Sequence, residues 1–502
     1  MLTSVQTRLS LIAFFSLSVL SGCQLVKLKE NKLSSSLHNK TDNILTDQRL
    51  SSSSLQLLQL VNENSQSCFQ QLDSCILKLR SNETLDEDQV YAAASELYMA
   101  RALNADKNKP CAQDLILNRS KRDAIKIKAC LDQQLSDFDL SLRYSYVYLF
   151  KMPQAPESRL FDLRQGQVRT FYNVALSRLI TMAHKRFNFN EFPKQLMLGS
   201  SMYSINFEHY PALEHAEIEK LRSSYNDHFS GLTVINRQEG IGSEFAVVKK
   251  RSDTLSSQSF ILDPEQYFKH KPNPNIHPAR YLSVSAIAVP SPQSGIADIL
   301  SAQAPIQIQL YNPNQYKTAE IESRPYTLTA NYSAPYGLWL SENKLGQSGY
   351  WTLLNKDENL RMPHVFMLEP YQPNKKVIVM IHGLASSPET WISLTNNIMG
   401  DAKLREHYQV WQVFYSTNMP IAESRFQINA LLKQAFEQVQ PNTPSARDAV
   451  LIGHSMGGII SRLLVSDADI SAQAIPLMNY EQNTQLQRNP IIRERFIFKP
   501  LQ

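Results

Sequence analysis

Hydrophobic residues follow three different spacings along the chain. From residue 54 to 143 they recur every three or four positions, most clearly over 91–103, which predicts amphipathic helices; a further helix is expected over 166–187. Between about residues 194 and 359, apolar and polar residues alternate and Pro and Asn clusters separate the runs, which predicts β-strands. Beyond them, short continuous apolar runs alternate with helical patterns, which is typical of buried strands in an α/β sheet.

The last of these apolar runs leads into a motif that carries chemistry. Residues 449–452 predict a buried strand, residues 456–466 predict a helix, and Gly453-His454-Ser455-Met456-Gly457 joins them. This G-x-S-x-G pattern is the nucleophile elbow, in which a sharp strand-to-helix turn lifts the serine hydroxyl above the sheet edge. The two outer positions are glycine because a Cβ would clash where strand and helix pass closely. Ser455 is therefore the candidate catalytic nucleophile, at a helix N-terminus that favours developing negative charge.

A second stretch supplies the partner for that serine. The apolar run 377–381 ends in His382-Gly383-Leu384, and Ser387-Pro388 then predict the start of a helix. A loop of this kind can aim its backbone amides at an oxyanion. The backbone N–H groups of Leu384 and Met456 are the candidate oxyanion hole.

These residues resemble the lipase and esterase branch of the α/β-hydrolases. The resemblance is carried by H-G-L-x-S-S-P-x-T-W from His382 and G-H-S-M-G-G from Gly453, a pair found in bacterial lipoproteins, and it covers roughly residues 360–500. It implies ester hydrolysis by a serine nucleophile on an acyl ester or lipid substrate, with no cofactor and no metal. The fold class is then α/β, with an incomplete hydrolase sheet at the C-terminus preceded by a helical region and a β-rich domain.

The resemblance also implies an order for the sheet. Two antiparallel strands would open it, and the strand that ends before His382 would lie between the other two parallel strands. The Ser455 strand would pair on its far side with a sixth strand. The predicted strands are 350–354, 365–369, 377–381, 410–415 and 449–453, and the predicted helices are 388–399, 424–439 and 456–466.

The sequence departs from this family after the nucleophile. Only 502 − 455 = 47 residues follow Ser455 and none is His, whereas the family places an acidic residue and then a His after the serine. We therefore expect a C-terminally truncated hydrolase that lacks its catalytic Asp and His. A pseudoenzyme that keeps the motif and an unconventional active site are the alternatives.

Other residues near the motif could replace the missing base and acid only if they reached the Ser455 hydroxyl. His454 occupies the x position, which points away from the hydroxyl, and His382 is used structurally by the family. His364 and His407 are expected at strand starts, away from the catalytic face. Asp467 and Asp469 lie about 18 Å along the helix, which is too far to orient a base. None of these residues is an expected triad member.

The N-terminus has the pattern of a lipoprotein signal. Arg8, an apolar segment too short to span a bilayer and Leu20-Ser21-Gly22-Cys23 predict a signal peptide over 1–22 and a lipid on the Cys23 thiol. The alternative is an ordinary secretory signal with an incidental Cys. Acyl chains on Cys23 would anchor the protein to a membrane, and Gln24 favours the outer over the inner membrane. Residues 23–54 are rich in polar residues and predict a flexible tether.

The remaining domains are then 55–190 (helical), 191–345 (β-rich) and 346–502 (partial hydrolase). The four other cysteines, Cys68, Cys75, Cys111 and Cys130, lie in the helical part, and their even number in an exported chain suggests two disulfides. On one helix Cys68 and Cys75 would be about 10 Å apart, which favours links from this pair to Cys111 and Cys130; an intervening turn would permit Cys68–Cys75. A metal site is the rival interpretation, although no His lies at ligand spacing nearby.

Composition excludes one class of function. The net charge of +5 is spread along the chain without a dense Lys/Arg run, so nucleic-acid binding is unsupported. Nothing in the composition identifies a protein partner. The rival to the hydrolase is a non-catalytic envelope lipoprotein that acts as a binding or scaffold module.

Overall fold

A computed structural model describes residues 26–30, 43–46, 48–107, 121–153, 163–198, 201–250, 260–343 and 362–501. The predicted signal peptide, Cys23, Cys111 and the predicted strand 350–354 lie outside these residues. The chain has a mixed α/β architecture with an N-terminal part that contains helices and strands and a C-terminal α/β sheet, which confirms the predicted fold class.

The helices are α1 (Ser52–Leu60), α2 (Ser65–Gln70), α3 (Leu72–Arg80), α4 (Glu87–Lys107), α5 (Lys121–Tyr146), α6 (Leu163–Phe187), α7 (Pro264–Phe268), α8 (Ile296–Leu300), α9 (Ser333–Asn343), α10 (Ile392–Gly400), α11 (Ala402–His407), α12 (Ile421–Glu437), α13 (Met456–Leu464), α14 (Ser471–Ala474), α15 (Tyr480–Arg488) and α16 (Pro490–Glu494). None of these helices is both long and apolar enough to cross a membrane.

The strands are β1 (Lys27–Glu30), β2 (Gln195–Leu198), β3 (Ser201–Asn206), β4 (Ile218–Ser223), β5 (Asp227–Ser230), β6 (Arg237–Gln238), β7 (Ser243–Lys249), β8 (Ile276–His277), β9 (Tyr281–Pro290), β10 (Ile306–Tyr311), β11 (Thr318–Ile321), β12 (Arg324–Thr327), β13 (Ala330–Asn331), β14 (His364–Met367), β15 (Lys376–Ile381), β16 (Tyr408–Phe414), β17 (Val450–Gly453), β18 (Ala468–Asp469) and β19 (Ile497–Phe498).

The two large sheets are stacked with helices on both sides of each. Helices α4 to α6 pack against one face of a six-stranded sheet of order β2-β3-β10-β9-β7-β4, in which only β3 and β10 are parallel neighbours. The other face of this sheet packs against α9, and α9 with α10 also covers one face of a five-stranded sheet. Helices α12 and α13 cover the far face of that second sheet. The two sheets therefore share one apolar layer built around α9.

The five-stranded sheet has the order β17-β15-β16-β14-β8. Strand β15 is parallel to both β16 and β17 and lies between them, as the resemblance implied. Strand β14 is antiparallel to β16, and β8 pairs with β14 on the outside. Because β8 and α9 come from the predicted β-rich domain 191–345, the predicted boundary at 345 does not separate two independently packed units. Local sequence periodicity could not reveal this pairing, since β8 has only two residues.

The predicted flexible tether 23–54 is also wrong in part. Strand β1 pairs in antiparallel register with β5, and Val26, just before it, is only 3% exposed. Ile44 and Leu45 are buried as well, and the backbone N–H of Ile44 donates to the Glu96 carboxylate. These apolar contacts hold the segments against the body, although their short length gave no clear pattern in the sequence.

The disulfide pairing differs from the favoured prediction. Cys68 is bonded to Cys75, with a Cα–Cα distance of 5.2 Å. A turn at Gln71 separates α2 from α3, so the two cysteines are not on one continuous helix and lie close enough to bond. The predicted links from this pair to Cys111 and Cys130 are therefore wrong. Cys130 is itself disulfide-bonded.

Helix α10, which follows the predicted oxyanion loop, is fastened to the β-rich part by Asn396. The Asn396 carboxamide accepts from Ser333 Oγ at 2.7 Å and donates to the Val234 carbonyl at 2.8 Å. The Asn396 carbonyl accepts from Asn236 Nδ2 at 2.8 Å. Asn396 is 3% exposed, so these bonds are shielded from water.

Replacing Asn396 with Ala is expected to lower the free energy of unfolding by about 2 kcal/mol, because it leaves the buried Ser333 hydroxyl and Val234 carbonyl without these partners. Urea denaturation followed by tryptophan fluorescence measures this, since all four Trp lie between residues 339 and 411. Asn397→Ala is the matched control: its side chain is exposed, so a change below about 0.5 kcal/mol is expected. Equal effects of the two substitutions would contradict the interaction.

Candidate active site

Ser455 lies on the turn between β17 and α13. Its backbone has φ 55° and ψ −122°, a left-handed conformation that a non-glycine residue rarely adopts. A Cβ on Gly453 would lie 2.4 Å from the Gly457 carbonyl oxygen, and one on Gly457 would lie 2.1 Å from the Ile381 carbonyl oxygen. Strand, turn and helix are therefore as closely packed as the motif requires, and the Ser455 side chain is exposed above the sheet.

The loop after β15 meets this turn. A Cβ on Gly383 would lie 2.9 Å from the Ser455 Cβ, so the two predicted segments are in direct contact. Ala385 has φ 56°, and its backbone N–H donates to Thr417 Oγ1 at 3.3 Å. Ser387 caps the short helical turn Pro388–Trp391 by accepting from the Glu389 backbone N–H. The loop thus has a defined backbone path beside the serine.

The two candidate oxyanion donors are available for a ligand. Among the residues that the structure describes, neither the Leu384 nor the Met456 backbone N–H donates to a protein acceptor. Met456 is the first residue of α13, where the amide has no acceptor within the helix. The Ser455 hydroxyl makes no hydrogen bond to any described residue either. The site therefore combines a hydroxyl with unpaired amides on two adjoining segments.

His382 is buried and held by backbone groups. Its Nδ1 lies 3.0 Å from the Gly383 carbonyl oxygen, and its Nε2 accepts from the Tyr415 backbone N–H at 3.3 Å. The Tyr415 hydroxyl donates to the His382 carbonyl at 2.9 Å. Burial lowers the pKa of His382 to about 4, so the ring is neutral at pH 7. Both ring nitrogens are occupied, which leaves His382 a structural role and no role as base.

The His454 side chain lies against the loop that follows β15 and not against the Ser455 hydroxyl. Its ring meets Trp391 edge-to-face at a centroid distance of 6.4 Å. Its Nδ1 lies 3.0 Å from the position that a Cβ on Gly383 would take. The ring is exposed and makes no hydrogen bond to Ser455, which agrees with the expectation for the x position.

The prediction that His364 lies away from the catalytic face is wrong. His364 begins β14, but β14 runs antiparallel, and His364 pairs with Phe414 at the carboxyl end of β16. It therefore lies at the same edge of the sheet as Ser455, where its Nδ1 contacts His277 Nε2 at 2.9 Å. Three strand spacings, about 14 Å, separate β14 from β17, so His364 does not reach Ser455.

The other candidates are also distant from the hydroxyl. His407 lies at the amino end of β16 and is exposed, with its Nδ1 2.8 Å from the Lys403 carbonyl oxygen. Asp467 is exposed beyond α13. Asp469 accepts from the Ser471 backbone N–H at 2.9 Å, and its hydrogen bonds to Ser471 hold the pKa of its carboxyl below the usual range. No described His or carboxylate forms a relay with Ser455. Within the described residues, no cluster of three or more His, Cys, Asp or Glu could hold a metal.

Sequence reasoning missed the residues that follow β16. Tyr415 and Thr417 fasten His382 and Ala385, although neither belongs to a motif. A signal for them was available. Carboxyl ends of adjacent parallel strands meet at one sheet edge, so the residues after β16 had to face the loop after β15.

Comparison with known proteins supports the superfamily. A protein-family model described as PGAP1-like alpha/beta domain matches residues 372–499, which include β15, the loop that follows it, β17 and the Ser455 turn. This part of the chain has an α/β-hydrolase-type fold, so the superfamily part of the resemblance is confirmed. No curated protein and no solved structure matches the chain.

Gly457→Ala is expected to destabilise the protein by more than about 3 kcal/mol, because the new methyl would meet backbone at Ile381 that cannot move aside. Gly458→Ala is the matched control: the nearest atom to its Cβ would be 3.4 Å away, and alanine stabilises a helix by up to about 1 kcal/mol over glycine. Urea midpoints from tryptophan fluorescence compare the two. Two neutral substitutions would mean that strand and helix are not in contact here.

The neutral His382 is expected to make stability depend on pH. Its folded pKa of about 4 lies below the value for an exposed imidazole, so between these values the unfolded chain binds more protons and stability falls as the pH falls. From pH 7 to pH 5 this contributes a loss of about 2 kcal/mol. His382→Gln should be less stable at pH 7 but should lack this part of the slope. His407→Gln, at an exposed site, should keep it; an unchanged slope in His382→Gln would contradict the assignment.

Proposed function

We propose that this chain carries the site of a serine ester hydrolase that acts on acyl ester or lipid substrates. The observation that carries the proposal is the contact of Gly383 with Ser455, with the unpaired Leu384 and Met456 amides on the two adjoining segments. Ser455 would attack the acyl carbonyl, and the two amides would stabilise the tetrahedral oxyanion. The position of the hydroxyl at the N-terminus of α13 adds to that stabilisation.

Exposed apolar side chains beside the site support a hydrophobic acyl group. Leu384 is 55% exposed in the oxyanion loop, and Ile459, one turn after Ser455 on α13, is 51% exposed. Both would bury apolar surface against an acyl chain. The family match is consistent with ester or lipid substrates. The lipoprotein signal Leu20-Ser21-Gly22-Cys23 supports attachment to a membrane, which we propose is the bacterial outer membrane.

The weak point of this mechanism is proton transfer. Without a base, Ser455 is a poor nucleophile, and the oxyanion hole alone gives about 10³- to 10⁴-fold acceleration over water, far below a full triad. The absence of a relay among the described residues favours the second candidate function, a non-catalytic envelope lipoprotein that binds a partner. Transfer of the acyl group to another acceptor would use the same residues as hydrolysis.

A fluorophosphonate probe is expected to label Ser455 in the 502-residue chain slowly, because the amides are in place and no described residue acts as a base. Added imidazole should accelerate labelling, since the exposed hydroxyl leaves room for a diffusible base. Mass spectrometry of the labelled peptide measures both effects. Ser455→Ala should abolish labelling, and Ser461→Ala, on the same helix, should not change it.

The outcomes separate the candidates. Labelling of Ser455 would exclude the binding-only function, and its complete absence with and without imidazole would support it. Product analysis with competing alcohols would distinguish acyl transfer from hydrolysis, because only transfer gives a new ester.

A further inference from the structure

The first described residues after Cys23 are part of the folded body. Strand β1 pairs with β5 from Lys27, opposite Ser230, to Glu30, opposite Asp227. Val26, just before the strand, is 3% exposed in the apolar layer between the two large sheets, in a cluster that includes Phe229 and residues of α9. The strand is therefore fixed to the core.

Close contacts and charges fasten this strand. Gly231 has φ 102°, and a Cβ there would lie 3.2 Å from the Val26 Cα, so a glycine lets the two backbones meet. The Ser230 hydroxyl donates to the Lys27 carbonyl at 3.2 Å. At the other end of β1, Arg222 joins Glu30 to the buried Asp227. Removing β1 from the body would expose Val26 and break the Arg222–Glu30 ion pair.

The distance from Cys23 to this strand is limited by the chain itself. Three residue steps separate Cys23 from Val26, so their Cα atoms are at most about 11 Å apart in any conformation. A lipid on the Cys23 thiol would then hold Val26 within about that distance of the bilayer surface. A flexible 30-residue tether would instead allow an end-to-end distance of about 30 Å.

The surface nearest the anchor has a suitable charge for lipid headgroups. Lys27 and Lys29 are exposed on β1, and neither makes an ion pair with a described residue. A lysine close to an anionic bilayer contributes about 1 kcal/mol of attraction. Leu28 alternates with them and packs toward the body.

We propose that the β1–β5 ribbon is a membrane-docking surface, on which a lipid at Cys23 holds the body against an anionic bilayer in one orientation. The inference rests on the lipid attachment in the proposed function and is independent of Ser455 chemistry. The protein then acts close to the membrane that carries it. The distance of its body from that membrane is limited by the three residues between Cys23 and β1. Strand β1 is the element that converts a lipid anchor into a fixed orientation.

Energy transfer to the bilayer tests the orientation. The full lipoprotein, carrying a fluorescent amino acid at position 228 or 480, is reconstituted into vesicles of phosphatidylethanolamine and phosphatidylglycerol with an acceptor dye on the headgroups. His228 is exposed on β5 opposite Lys29, so this label leaves both lysines in place. Tyr480 is a suitable distant position, since it is 89% exposed in the C-terminal segment, whose strand β19 packs against α12 on the opposite face of the five-stranded sheet. We expect transfer from position 228 to exceed that from position 480 by about twofold or more, since only three residues separate Cys23 from β1.

Matched insertions separate the effect of the short connection between Cys23 and β1 from the effect of the lipid. Twenty Gly/Ser residues between positions 25 and 26 span about 25 Å and should reduce the ratio to about one, whereas the same insert after Glu30 should leave it unchanged. Equal transfer from both positions in the parent protein would overturn the proposal. So would an N-terminal peptide that carries no lipid by mass spectrometry. Neither result would alter fluorophosphonate labelling, so failure of docking and failure of the hydrolase site are distinguishable.

Discussion

The close approach of the loop at Gly383 to the turn at Ser455 is the contact on which the candidate site depends. A side chain at Gly383 would collide with the Ser455 Cβ, so only glycine lets the loop amides and the hydroxyl face the same space. Gly457 imposes the same limit on the other side, where α13 touches the end of β15. Packing at these points holds Ser455 at a positive φ, a conformation that costs a non-glycine residue about 1–3 kcal/mol.

His382 extends this constraint across a third strand. Its ring accepts the Tyr415 amide and its carbonyl accepts the Tyr415 hydroxyl, so the ends of β15 and β16 are joined beneath the oxyanion loop. Only a neutral imidazole can accept a hydrogen bond through Nε2. Burial keeps the ring neutral and therefore preserves this hydrogen bond. On the other side of the sheet, Asn396 fastens α10 to the β-rich part. The site thus rests on elements from distant parts of the sequence.

The sequence predicted the strands and the helix around Ser455 well because their signals are local. Apolar runs, a strand-to-helix motif and glycine spacing fix β15, β17, α13 and the turn within a few residues. What it missed depends on chain direction and on distant partners. His364 was assigned to the wrong edge because a strand antiparallel to its neighbour begins at the carboxyl end of that neighbour. The Cys68–Cys75 bond depends on one turn residue, and β1 depends on a partner 200 residues away in the chain.

The conformation of Ser455 bears on function independently of the group that would act as its base. A turn kept only for structure would be less strained with glycine at this position, since glycine adopts positive φ without cost. The chain has glycine at positions 453 and 457, where packing is close, and at position 458 in helix α13. At the strained position 455 it has serine instead. Strain at a polar residue beside the Leu384 and Met456 amides, which donate to no described residue, supports the proposed role of Ser455 as a nucleophile. The strain of Ser455 does not identify a base, because no described His or carboxylate is held against the Ser455 hydroxyl. The geometry therefore supports the proposed nucleophile, and the rate of the proposed reaction would depend on proton transfer.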